Sequence, residues 1–296
     1  MPVLPTYTKG ILITALGVLV ISPDGLLTRL ITTDHWTLIF WRTLLMAFGM
    51  WILCAFIYPK NTWAKYKELG SSGMAMVALY SMGSIAFIVA ITHTSVANTL
   101  IILSTTPLSA VLIGRVFLGE RIAARSWSAI VLVCIGVLVM SSDKSSANTS
   151  LFGDIAALMG AFFLAAGFTM VRRFPSIPIF PALSTSGLVT ALLVLPLAQP
   201  LSISQQDFGY LLIMGVCMLP VGTGLMFLGP RYIPAAEVGL MLLLESILGP
   251  IWVWLVLSEH PGTRSFIGGA IILSTLVINA IWVMRSTKSE VMKGAV

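Results

Sequence analysis

The chain has 296 residues, 57% of them hydrophobic and only 9% charged, with a mean hydropathy of +0.99. A soluble domain carries roughly a quarter charged residues, so a soluble enzyme or binding module is excluded. The net charge of +6 marks no nucleic-acid binder, because most basic residues lie in short loops between apolar runs, where they report topology.

Apolar runs of roughly 20 residues, each enough for one membrane helix, are predicted at about 9–31, 35–58, 70–92, 95–118 and 124–142. A second set follows at about 153–174, 178–198, 207–229, 235–258 and 263–285. The first run follows Lys9 and could imitate a signal peptide. It lacks a small-residue cleavage site and has a counterpart later in the chain, so it is expected to be retained. Pro23-Asp24-Gly25 interrupts it and frees backbone groups that can line a cavity. Arg42 lies on the second run, and Asp24 and Arg42 each fall roughly 10 Å inside the outer boundary at about 1.5 Å per residue. A short loop makes their helices neighbours. A direct ion pair would lower the cost of burying both, and a gate or a clamp on a substrate carboxylate is the functional alternative.

Tyr80, Ser81 and Gly83 occupy the midpoint of the third run, level with Thr105, Thr106 and Pro107 on the fourth. Pro220, Gly222, Thr223 and Gly224 hold the matching zone of the eighth, so broken or closely packed helices are expected around a central cavity. Arg115 can snorkel to the surface and is given no transport role. The stretch 143–152 is a polar linker, and its Asn148-Thr149-Ser150 is a weak glycosylation pattern. Glu245 stands in the middle of the ninth run, where a carboxylate is costly and ordinarily faces a bundle interior or a wet cavity. Its helical face carries Met241, Leu242, Gly249 and Trp252, a lining suited to a ligand pocket. A protonated Glu245 making one interhelical hydrogen bond is the structural alternative. Trp41, Trp252 and Trp254 offer aromatic faces to a cation, whereas Trp36, near a helix end, is expected to anchor at the interface.

Cys54, Cys134 and Cys217 sit in separate apolar runs and are expected to be small buried hydrophobes. There is no His-Glu-x-x-His, no phosphate-binding glycine loop and no Cys/His cluster, and His35, His93 and His260 lie at helix ends or loops. An Asp–Arg pair is a poor acid–base couple because Arg stays protonated. No enzyme activity, cofactor or metal is expected.

Two halves of the chain repeat. A shift of 139 residues lays Gly70 on Gly209, Val77 on Val216, Gly83 on Gly222, Ala97 on Ala236 and Glu120 on Glu259, then Arg125 on Arg264 and Ser126 on Ser265. A shift of 143 lays Gly10 on Gly153, Gly17 on Gly160 and Arg29 on Arg172. Thr106 is the repeat counterpart of Glu245. The expected units are a first five-helix repeat at 8–142, the linker 143–152, a second repeat at 153–285 and a tail at 286–296. An odd number of crossings inserts the second copy upside down, the usual architecture of an alternating-access transporter. With the N-terminus inside, 12 of the 17 Lys and Arg fall inside, Arg29, Lys144 and Arg264 outside, and Arg42 and Arg115 within spans. Both termini are therefore expected to face the cytoplasm.

The stretches Thr106-Pro107-Leu108, Phe117-Leu118-Gly119-Glu120-Arg121 and Cys134-Ile135-Gly136-Val137 resemble the EamA-type signature of the drug/metabolite transporter superfamily. Leu257-Ser258-Glu259-His260-Pro261 and Ile267-Gly268-Gly269-Ala270-Ile271-Ile272 resemble its second copy. Arg42 matches an arginine frequent in the second helix of that family. The resemblance implies a ten-helix, all-α integral membrane fold of two inverted five-helix repeats. Its cavity would lie between helices one to four and six to nine, with the fifth and tenth peripheral. It also implies that Glu120 and Glu259 cap helices or close gates. Ser22-Pro23-Asp24-Gly25 stands where many members carry a Trp-Gly pair, so family generalities about substrate are not carried over.

The expected function is a bacterial inner-membrane secondary transporter of a small polar, zwitterionic metabolite such as an amino acid. Its site residues are Glu245, Arg42, Asp24, Tyr80, Thr106, Trp252 and Trp41, with Glu245 also the candidate for proton coupling. A carrier for organic amines or quaternary ammonium cations is the alternative, and a membrane sensor or channel a distant one. The expected partners are the substrate, the lipid bilayer and a proton, without nucleic acid; a homodimer is left open.

Overall fold

The computed structural model describes residues 6–118, 124–141, 150–258, 263–264, 266–275 and 277–278. Glu120, Glu259, His260, Asn148 and the tail 286–296 lie outside them. The described residues form helices joined by turns, with no strand among them. The first rod is α1 (Thr6–Ile21) and α2 (Asp24–Leu30), broken at Ser22-Pro23. Then come α3 (His35–Ile57), a short α4 (Thr62–Lys67) and α5 (Gly70–His93). The fourth rod is α6 (Val96–Leu103) and α7 (Thr106–Leu118), broken just ahead of Pro107, and α8 (Ala124–Ser141) follows. After α9 (Leu151–Arg173) and α10 (Ile179–Val194), the chain forms α11 (Gln205–Leu212), a π turn over Ile213–Met218, α12 (Leu219–Leu228) and α13 (Ala235–Leu257). Phe266–Thr275 is a further apolar helix, α14.

Seven of these rods are long and apolar enough to cross a membrane, and α10 and α14 are apolar but shorter. The protein is a multi-pass membrane protein. Proline sets most of the irregularities. Pro23 ends α1, the π turn directly precedes Pro220, and α10 stops at Val194, where Leu195 keeps a helical backbone but Pro196 has no N–H to continue the ladder. α10 is thus shorter than the predicted 178–198. α4 was not predicted; it has no buried residue and carries a Lys65–Glu68 pair at 2.6 Å.

The rods pack as α1 on α12, α5 on α9, α3 on α10, and α13 on α6, α7 and α1. These contacts repeat in the registers found in the sequence. Gly10 is pressed against Tyr232 and Ile233, and Gly153 against their counterparts His93 and Thr94. Leu100 O accepts a 2.7 Å hydrogen bond from Ser246 Oγ, and the counterparts Gly239 and Pro107 also meet. Near the middle the copies differ. A Cβ on Gly17 would stand 2.7 Å from Gly222 O and 2.8 Å from Met226 N, so α1 and α12 touch backbone to backbone. On the matching Gly160 it would stand 3.8 Å from Phe87 N, so α9 and α5 are about 1 Å further apart.

Candidate functional site

The wider α5–α9 seam borders a cavity of about 70 Å³ between α1, α2, α3, α5, α6, α9, α12 and α13. The break at Pro23 places Asp24 in the first turn of α2, where a helix N-terminus favours a carboxylate. Asp24 Oδ2 accepts a 2.6 Å bond from Arg42 Nη2, and both side chains are buried. The guanidinium also lies 5.3 Å from the Phe87 ring centre. The pair is therefore formed, yet Asp24 Oδ1 and Arg42 Nε remain buried without a hydrogen-bond partner among the described residues.

Glu245 lines the same cavity from α13, 6% exposed. It makes no hydrogen bond or ion pair with the described residues, so the interhelical bond that would give it a purely structural part is not seen. It lies close enough to interact electrostatically with both Asp24 and Arg42. Tyr80 lines the cavity from α5, its ring edge-on to Phe227 at 5.5 Å and its hydroxyl 3.6 Å from Met46 Sδ. The cavity thus joins four of the sequence candidates: Asp24, Arg42, Tyr80 and Glu245.

The other three lie elsewhere. Thr106 donates to Leu103 O at 2.6 Å within its own chain turn. Trp41 Nε1 donates to Pro200 O at 3.1 Å and packs edge-on against Phe208. Trp252 shares a nominal face with Glu245 but lies two turns, roughly 10 Å, further along the helix. It donates to Ser22 Oγ at 3.2 Å and is 37% exposed. Of the remaining face, Leu242 lines the cavity and Gly249 packs on Leu100. Ser81 donates to Ser186 O at 3.1 Å, tying α5 to α10. Cys54 is buried, but Cys134 and Cys217 are exposed, correcting the expectation that all three are interior. No group of His, Cys, Asp and Glu among the described residues could hold a metal.

Sequence reasoning missed most of the cavity wall, although the repeat held the signal. Four of its residue pairs are counterparts: Ile21 with Leu164, Ser84 with Thr223, Phe87 with Met226, and Leu103 with Leu242. The charged residues have no such partners. Gly167 stands opposite Asp24 and Thr106 opposite Glu245, and α10 carries no charge at all.

A solved crystal structure superimposes with a TM-score of 0.71 over 94% of this chain and 98% of its own, at 14% identity, a likeness of fold alone. An uncharacterized transporter of Methanothermobacter thermautotrophicus is 25% identical over 219 residues, covering 69% of this chain and 63% of that relative. The pseudopaline exporter of Pseudomonas aeruginosa is 26% identical over 206 residues, 67% of this chain and 69% of the relative. The model of the EamA-like transporter family matches residues 8–142 and again 151–281. Two matches covering most of the chain, on a helical membrane fold with a charged central cavity, place this protein in the EamA-like transporter family.

Proposed function

We propose that the protein is a secondary transporter moving a small zwitterionic metabolite by alternating access, with Glu245 exchanging a proton for the substrate's ammonium group. The observation that carries this is one cavity holding an Asp24–Arg42 pair and a separate Glu245 that is unpaired among the described residues. The pair is neutral overall, so Glu245 is the one net charge, and an uncompensated charge in an apolar bundle is costly. A proton or a cationic group can neutralise it, and competition between the two couples their movements. Arg42, with Nε unfilled, is the partner for a substrate carboxylate. The architecture proposed with it is ten spans in two inverted repeats, 8–142 and 153–285, with both termini cytoplasmic in a bacterial inner membrane. The repetition of contacts in both registers supports the two-repeat part of it. One relative is named an exporter, so outward movement is the direction to assay first.

An organic-amine carrier is the second reading, favoured by the unpaired Glu245 facing Tyr80 and Phe87 in one cavity. Solid-supported-membrane currents from reconstituted protein separate the two, using jumps of zwitterionic amino acids and then of amine cations. The expected result is a zwitterion current that Glu245→Gln abolishes while folding is kept. Normal pH-driven flux in that variant sinks the coupling role of Glu245. Currents with amines alone favour the second reading.

A further inference from the structure

Ser84 on α5 and Thr223 on α12 are repeat counterparts, one shift of 139 apart, and both line the central cavity. Ser84 is 7% and Thr223 0% exposed, and neither hydroxyl has a hydrogen-bond partner among the described residues. Buried Ser and Thr in helices ordinarily turn back onto a carbonyl one turn earlier. Thr14, Thr43, Thr169 and Thr190 do so here, each at 2.8 Å. Ser84 and Thr223 do not. The Tyr80 phenol lies beside Thr223 but without the geometry of a hydrogen bond. Leaving a buried hydroxyl unmatched is costly, and here it happens at the same place in both copies, on the wall of one cavity.

We propose that Ser84 and Thr223 are a symmetry-related pair of substrate-binding hydroxyls that donate to hydrogen-bond acceptors at two ends of the ligand. The proposal rests on the transporter reading above and narrows it. Glu245 and the Asp24–Arg42 pair meet the charges of the substrate, while the two hydroxyls require oxygen or nitrogen acceptors on it. A tetraalkylammonium ion, which has none, leaves both unfilled. Because the pair straddles the repeat, the cavity offers a hydroxyl from the same position of each half, whichever half closes on the ligand.

The test is equilibrium exchange of labelled glycine, alanine and serine in proteoliposomes at equal pH on both sides. Exchange needs no proton gradient, so a wrong assignment of Glu245 as the coupling group leaves it readable. Ser84→Ala and Thr223→Val are each expected to raise the half-saturation concentration about three- to tenfold. Thr223→Ser should restore it, with the melting temperature of all three variants unchanged. Unaltered half-saturation in both Ser84→Ala and Thr223→Val overturns the proposal. Should none of the three amino acids exchange, cysteine labelling decides. With Cys54, Cys134 and Cys217 replaced by Ala, Ser84→Cys and Thr223→Cys are both expected to react with aminoethyl methanethiosulfonate. Thr99→Cys, buried outside the cavity, should stay silent. Failure of either cavity position to react overturns the pair.

Discussion

The two repeats build the same frame around the cavity and furnish it differently. Ile21, Phe87 and Leu103 from the first copy meet Leu164, Met226 and Leu242 from the second. Asp24, Arg42 and Tyr80 come only from the first copy, and Glu245 only from the second. Packing therefore keeps the symmetry of a duplicated chain, whereas charge breaks it. A physical reason is at hand. A mirrored set would bury a second Asp–Arg pair and a second lone carboxylate, each costing several kcal/mol, in a space of about 70 Å³.

The largest effect expected from breaking the asymmetric part is at Arg42. Arg42→Gln leaves Asp24 buried without its 2.6 Å partner and should cost about 3–5 kcal/mol. The loss would show in the melting of detergent-solubilised protein followed by fluorescence-detected size exclusion. Adding Asp24→Asn should recover most of that stability without restoring transport. Recovery of both would make the pair structural only.

The symmetric part is sharpened by alanine at three of the seam glycines. Gly17→Ala and Gly222→Ala drive a methyl to 2.7–3.0 Å from backbone oxygen and should each cost about 2 kcal/mol, within the usual 1–3 for overpacking. Gly160→Ala meets Leu103 Cδ1 first, at 3.3 Å, a flexible side-chain end that can give, and should cost under about 1 kcal/mol. Equal losses in the same melting assay would mean that the seams are equivalent after all.

The smallest effect separates helix starts. Asp34 caps α3, accepting from the backbone of Trp36 at 3.0 Å and Thr37 at 3.1 Å, whereas α10 begins after Pro178 with no side-chain cap. Asp34→Ala should cost about 1 kcal/mol. Burial alone would raise the Asp34 carboxyl. Hydrogen bonds from Thr37 and Trp36, with the His35 charge, outweigh it and hold the group below its ordinary 3.8. The capping contribution is therefore complete above pH 3.8 and fades as pH falls through the lower folded value. Pro178→Ala should show no such acid dependence in melting scans.

The seven long apolar spans were legible because hydrophobic length is written directly in the chain, and so were the breaks at Pro23 and Pro107. α4 was not, since a six-residue surface helix held by a Lys65–Glu68 pair leaves no periodic apolar trace. Asp24, Arg42 and Glu245 were conspicuous as charges inside apolar runs. Ser84 was not, because a helix serine usually satisfies itself on its own backbone, and only the counterpart at Thr223 singles it out. Trp252, Trp41 and Thr106 were placed by depth and helical face. Neither quantity says which neighbour the side chain finds, and Ser22, Pro200 and Leu103 O hold them outside the cavity.

Glycine is kept at four seam positions where the packing described here insists on two. Gly17 and Gly222 have no alternative, but Gly83 and Gly160 meet only side-chain atoms at close range, at 3.2 and 3.3 Å. A methyl at those two places would press first on the Phe163 and Leu103 side chains and narrow the space. Their bareness leaves the α5–α9 seam with slack on the cavity side that the α1–α12 seam lacks, so a small shift between helices would meet least resistance there.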